Sequence, residues 1–284
     1  MTNTNKQLTY SIILSLLTIL VALCLTQSSH ASFRKNLWPR WEVNDPLSNK
    51  TISHKDWQTF LENTVVTDSE NINLIDYKKM STKDVKRLNH YISFMSKVKI
   101  SQYNRNEQLA FWINLYNALT VKLIIDHYPV SSIQDINISP GLFSIGPWRA
   151  NLIRVENTAL SLDDIHNRII RPIWNDPRTH YAINNATIGA ANLAKHAYLG
   201  NAINEQLNTA ARNYINSLRG VQAVEKHLVV SKVYDWFEED FGGTKQDVII
   251  HLKLYANPVL VKKLATMKTI SSYIYNWHLN NVNY

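Results

Sequence analysis

Along most of the chain the apolar residues keep helical rather than strand spacing. Five stretches open with a side-chain oxygen followed three residues later by a carboxylate. The pairs are Ser53 and Asp56, Ser81 and Asp84, Asn104 and Glu107, Ser161 and Asp164, and Thr244 and Asp247. Such a pair satisfies unpartnered N–H groups and suits the helix dipole, so each predicts a helix start. After Ser81, the residues Val85, Leu88, Ile92 and Met95 form one amphipathic stripe. The stretch over 105–127 differs, because Leu109, Phe111, Trp112, Ile113, Leu115, Tyr116, Leu119, Val121 and Leu123 leave almost no polar face. A helix apolar all round predicts a central, buried position. Glu107, Asn114 and Asn117 interrupt it, and Glu107 and Asn114, seven apart, share a face. Buried amides need partners. They either tie the helix to neighbouring loops or line a pocket.

Strand-like segments are fewer and shorter: 71–76, 151–155, 179–184, 227–232 and 271–277, chosen for β-branched and aromatic content. The expected class is α+β, a helix-dominated single domain with a small antiparallel sheet. No repeat, low-complexity tract or linker divides the chain, so one globular domain is expected over 32–284.

The start of the chain has the pattern of a targeting signal. Lys6 precedes an apolar run over 11–25, and Ser29 and Ala31 are small residues before Ser32. This predicts a signal peptide over 1–31, cleaved between Ala31 and Ser32. The alternative is an uncleaved membrane anchor. Export to the periplasm or beyond follows from either. Cys24, the single cysteine, lies in the apolar run behind Leu23, where a lipoprotein signal has a small residue. Cleavage leaves a mature chain with no thiol.

Composition narrows the chemistry. Hydrophobic residues make up 45% and charged residues 18%, a globular balance. With seven glycines and no phosphate-loop pattern, nucleotide binding is not indicated. A net charge of +8 favours an anionic partner such as a peptide, glycan or other envelope component. The basic residues are scattered and the chain is expected to be exported, so nucleic acid is not expected. The ten histidines are dispersed, and no metal or cofactor is expected. The acidic residues Asp235, Glu238, Glu239 and Asp240 end in Gly242-Gly243, read as a helix C-cap.

The stretch "HYAINNATIGAANL", His180 to Leu193, reads as a strand running into a small-residue loop. With "NEQLAFWINLYNALTV", "LSLDDIHNRIIRPIW", "SKVYDWFEEDFGG" and "YNWHLN", it resembles the family called domain of unknown function 547. The resemblance implies a Cys-based centre. Members typically carry two Cys in this loop and Glu-His in the helix after Ser161. That pattern is similar to papain-like and transglutaminase-like acyl-transfer enzymes. Here Asn185 and Ala190 stand at the Cys positions, and His166-Asn167 replaces Glu-His. Arg178 and His180 match the family pattern.

An amide cannot replace a thiolate, so no catalytic residue is assigned. Thr187, the loop's one hydroxyl, would need a base such as His180. His166 reads as helix surface. The candidate pocket residues are Glu107, Asn114, Asn117, Arg178, His180, Asn185 and Thr187. Three readings stay open. One is a non-catalytic binding domain with a degenerate centre. Another is an envelope hydrolase or acyl-transferase using other residues. The third is an interaction scaffold whose family Cys pair was a disulfide.

Overall fold

A computed structural model describes residues 35–141 and 144–282. The expected signal peptide and its cleavage point at Ala31 and Ser32 lie outside the described residues. The fold is a helix-dominated α+β architecture.

Helix α1 (Lys55–Thr64) and helix α2 (Thr82–Met95) pack together, and α2 packs against the central helix α3 (Arg105–His127). Every residue from Glu107 to Val121 is buried, as an all-round apolar helix requires. Three of the expected caps form as read. The side chains of Ser81, Asn104 and Thr244 accept from the N–H groups of Asp84, Glu107 and Asp247. Ser161 and Asp164 bond reciprocally, a capping box. The segment they open runs as a π-helix over Asp164–Ile170 before continuing as the short helix α4 (Arg171–Trp174). Ser53 does not cap. His54 stands at the N-cap without a side-chain cap bond, its Nδ1 paired instead with Tyr91 Oη at 2.7 Å.

The expected single antiparallel sheet is divided into three pieces. Strands β1 (Val65–Thr67) and β2 (Asn73–Ile75) form one antiparallel hairpin, and β3 (Ile153–Val155) and β4 (Thr158–Leu160) another. The second turns through Glu156 and Asn157, both at positive φ, as a two-residue hairpin loop demands. The third piece pairs β5 (Val221–Val224) antiparallel with β6 (His227–Ser231). It also pairs β6 parallel with β7 (Ser272–Ile274), across a helical connection that includes α7 (Lys245–Tyr255) and α8 (Pro258–Ala265).

The segment 179–184 is not a strand. Pro177–Tyr181 is a 3₁₀ turn, opened by the Asp176 side chain accepting from Arg178 N. An Asp-Pro helix start outweighs the aromatic and β-branched content that suggested a strand. The remaining helices are α5 (Ile203–Ile215) and the short α6 (Val233–Trp236). The element order thus places the loop after residue 181 between the central helix, helix α5 and the chain's end.

Candidate functional site

The loop in which the resemblance implies a Cys-based centre is closed. Asn117, on α3, donates from Nδ2 to Ala182 O and accepts from Asn184 N, both at 2.9 Å. Asn114, one turn earlier, does the same with Tyr198 O and N at 2.8 and 3.0 Å. An amide side chain facing a peptide group makes two bonds at once and leaves neither group unsatisfied. Asn114 and Asn117 therefore clamp the two ends of the segment 182–198 to the core. Asn184 adds an internal tie, accepting from Ala186 N at 2.8 Å and donating to Ala191 O at 2.7 Å. It holds Ala186 at φ 60°, a left-handed conformation that L-residues seldom adopt.

On the other side, the chain's last segment runs alongside. Ile188 N donates to His278 O, Gly189 N to Asn276 O, and Asn280 N to Ala186 O, at 2.8, 2.8 and 2.9 Å. A Cβ on Gly189 would lie 2.6 Å from Asn276 N, so only glycine permits this approach. Ala186, Thr187, Ile188, Ala190 and Ala191 are all buried. Asn185 and Thr187 point their polar atoms at one another and at Tyr275. Thr187 Oγ1 donates to Asn185 Oδ1 at 2.6 Å and lies 2.8 Å from Tyr275 Oη. Asn185 Nδ2 donates to Tyr275 Oη at 2.9 Å. This triad fixes the Tyr275 ring and does not include His180.

Two other residues expected to line a pocket also have structural partners. Glu107 accepts from Ile52 N at 3.1 Å. Arg178 pairs with Asp176 and bonds Asn208 Oδ1 on α5 at 2.7 Å. Glu107, Asn114, Asn117 and Arg178 are thus ties and not a shared pocket wall.

His180 belongs to a second network, around Asp240. Its Nε2 donates to Asp240 Oδ2 at 2.7 Å, and Arg171 Nε donates to the same oxygen at 2.5 Å. Lys35 Nζ stands 2.8 Å from Asp240 Oδ1. Arg171 also donates to Asn167 Oδ1 at 2.7 Å, and Asn167 to Asp163 Oδ1 at 2.6 Å. The side chains of Arg171, His180 and Asp240 are 1%, 2% and 6% exposed, so charge here depends on internal partners. Burial would raise the Asp240 carboxyl; the hydrogen bonds and charges of its partners outweigh it and hold it well below the usual carboxylate range. Burial pushes His180 down, against the opposing pull of Asp240. The neutral ring then donates through Nε2 to the ionised Asp240.

His166 is not on the surface, contrary to the sequence reading. It lies in the π-helical segment Asp164–Ile170 and turns inward. Its ring edges onto His180, Phe237 and Tyr116 at 5.2, 5.1 and 6.0 Å. Its Nε2 is shut off from solvent with no hydrogen-bond partner. Burial, then the charges of His180 and Arg171, push it well down, so it stays neutral. Asp240, Arg171 and His166 are the residues that sequence reasoning missed. Asp240 lay in an acidic run whose Gly-Gly end was read as a helix C-cap, and nothing local marked it as the one that turns inward.

No Ser, Thr or Cys side chain among the described residues is bonded to His180. Among the described residues no group of three or more His, Cys, Asp or Glu is arranged to hold a metal ion. Open space lies elsewhere. A cleft of about 380 Å³ runs between α5 and residues 192–198, with Tyr181, Tyr198 and Tyr214 in its lining and Lys195, His196 and Arg219 around it. Arg219 bonds Ile188 O and Ala190 O at 3.0 and 2.8 Å, so the closed loop forms the backing of this cleft. A groove of about 470 Å³ lies at Ser131, Ser132 and residues 275–278.

The fold and the loop together define a class: a helix-dominated α+β domain with a buried loop clamped to its central helix. Residues 100–215 match the model of the family described as "Protein of unknown function, DUF547", and over that stretch the chain is similar to the family. The match runs from the approach to α3 to the end of α5. It includes His166, His180, Asn185 and Thr187 but not their partners Asp240 and Tyr275. No curated protein and no solved structure matches the chain.

Proposed function

We propose that the protein is an exported, non-catalytic binding or scaffold domain in which the family's Cys-based centre has become structural. The observation that carries this reading is the Asn185–Thr187–Tyr275 triad. The side chains at and beside the Cys position spend their polar atoms on packing, within a loop that is buried along most of its length. The cleft beside that loop is the binding site on this reading. Three amides hold its walls in advance of any ligand: Asn192 accepts from Asn73 N, Asn73 donates to Leu193 O, and Gln206 donates to Ala197 O. A preformed site loses less entropy on binding. Lys195 and Arg219 outnumber the single carboxylate Glu205 in the lining and favour an anionic peptide or glycan of the cell envelope, in line with the basic net charge.

Titration of the purified mature protein with acidic oligosaccharides and acidic peptides tests this reading. Lys195→Glu, at an exposed position on the cleft, is expected to weaken binding several-fold, and added salt to weaken it further. Equal affinity in the variant would remove the cleft from consideration.

The enzyme reading draws on the His180–Asp240 pair, which resembles an oriented general base. Panels of ester, amide and peptide substrates decide between them. No turnover is expected; turnover abolished by His180→Ala would replace the binding reading with a hydrolase or acyl-transferase.

A further inference from the structure

Next to the Asn185–Thr187–Tyr275 triad, on the outside of the molecule, several aromatic rings gather. Trp277 meets Trp148, Trp236 and Tyr275 at ring-centroid distances of 6.0, 5.4 and 4.8 Å. Trp236 and Tyr275 are also 4.8 Å apart. Trp148, Tyr275 and Trp277 are each half-buried, so part of every ring stays in contact with solvent. The Tyr275 hydroxyl is buried in its bonds to Asn185 and Thr187, which locks the ring plane. Tyr275 and Trp277 then form one wall of the 470 Å³ groove, whose rim holds Ser132, Asn276, His278 and Asp135.

We propose that this groove is a binding site for a neutral oligosaccharide, separate from the cleft described above. A pyranose ring has an apolar face of C–H groups that carry slight positive charge. That face suits the negative face of an indole or phenol ring. Its edge carries hydroxyls that both donate and accept, and the rim offers a hydroxyl, an amide and an imidazole that do the same. Asn276 and His278 are exposed and project beside Trp277.

The charge of the groove selects against acidic ligands. Its described lining contains no Lys or Arg, and it contains one carboxylate, Asp135. Asp135 is fixed by the N–H groups of Ser131 and Ser132 at 3.1 and 2.9 Å. The cleft, with its cations, has the opposite preference.

Tryptophan fluorescence tests the proposal directly, with cellotetraose and tetra-N-acetylchitotetraose as neutral probes and tetragalacturonate as the acidic one. The expected result is a saturable change with at least one neutral probe and a weaker response to tetragalacturonate. Trp277→Ala is expected to weaken neutral binding about tenfold or more, as loss of one stacked ring does at other ring-stacking sites. Trp277→Phe, which keeps a ring and guards against misfolding, is expected to retain most of it, and His278→Ala to lose several-fold. Lys195→Glu is expected to leave it unchanged, which separates this site from the cleft. No response to either neutral probe overturns the proposal. So does tighter binding of tetragalacturonate, or unchanged binding in both Trp277→Ala and His278→Ala.

Discussion

Asp240→Ala is expected to be the most destabilising single change in the described fold, lowering the unfolding free energy by about 3–5 kcal/mol. Asp240 faces Arg171, His180 and Lys35 in a region almost closed to water. Removing it takes the Asp240 carboxylate away from the buried Arg171 guanidinium, which is stacked 4.6 Å from the Phe237 ring. The cost is the lost compensation of that buried charge more than the lost hydrogen bonds. Chemical denaturation of wild type and variant measures it directly. A thermal scan should move down by on the order of 10 °C for a chain of this length. Replacing both partners, Arg171→Met with Asp240→Leu, is expected to recover much of the loss, because no charge is then left buried. A loss below about 1 kcal/mol in Asp240→Ala would mean the network contributes little to the fold.

Mild acid is expected to have the next largest effect. His54 and His251 are both buried, and burial pushes each down to about 4 from an ordinary 6.5; for His251 the charges of His180 and Arg178 add to this, against Asp176. Each accordingly stays neutral in the fold, His54 against Tyr91 Oη and His251 against Tyr181 Oη. The unfolded chain takes up a proton at each site below about pH 6.5, and the folded chain does not until about pH 4. Stability is therefore fully present above pH 6.5 and is lost as pH falls through that window. The loss levels off below it at roughly 3 kcal/mol per histidine. His166 and His180, also pushed down by burial, act in the same direction. Urea titrations at pH 7.5 and pH 4.5 check this, with a much lower midpoint expected at the acid value. His54→Gln should flatten part of the dependence even if it lowers stability overall. Equal midpoints at both pH values would contradict the buried-neutral assignment.

These effects come from residues whose roles had different visibility in the sequence. The central helix could be read locally, because its apolar residues lie within a few turns of one another. The same holds for the caps at Ser81, Asn104 and Thr244, where donor and acceptor are three residues apart. The segment 179–184 was misread because its aromatic and β-branched content suggested a strand. The deciding contact was the Asp176 side chain on Arg178 N. His166 was misread because a regular α-helix would have rotated it outward. The segment is π-helical there, and the ring turns into the Phe237 and His180 stack.

The sequence by itself determined the helix-dominated class, the family resemblance and the absence of a thiol from the loop. Each rests on local spacing or on identity at given positions. Only the tertiary structure decided what the loop and its neighbours do. Asn185 finds Tyr275 across 90 residues and His180 finds Asp240 across 60, separations at which no helical or strand period relates one side chain to another. Those partners are selected by packing around the central helix. That packing turned the pocket residues expected from sequence into ties and left the open space at a cleft and a groove beside them.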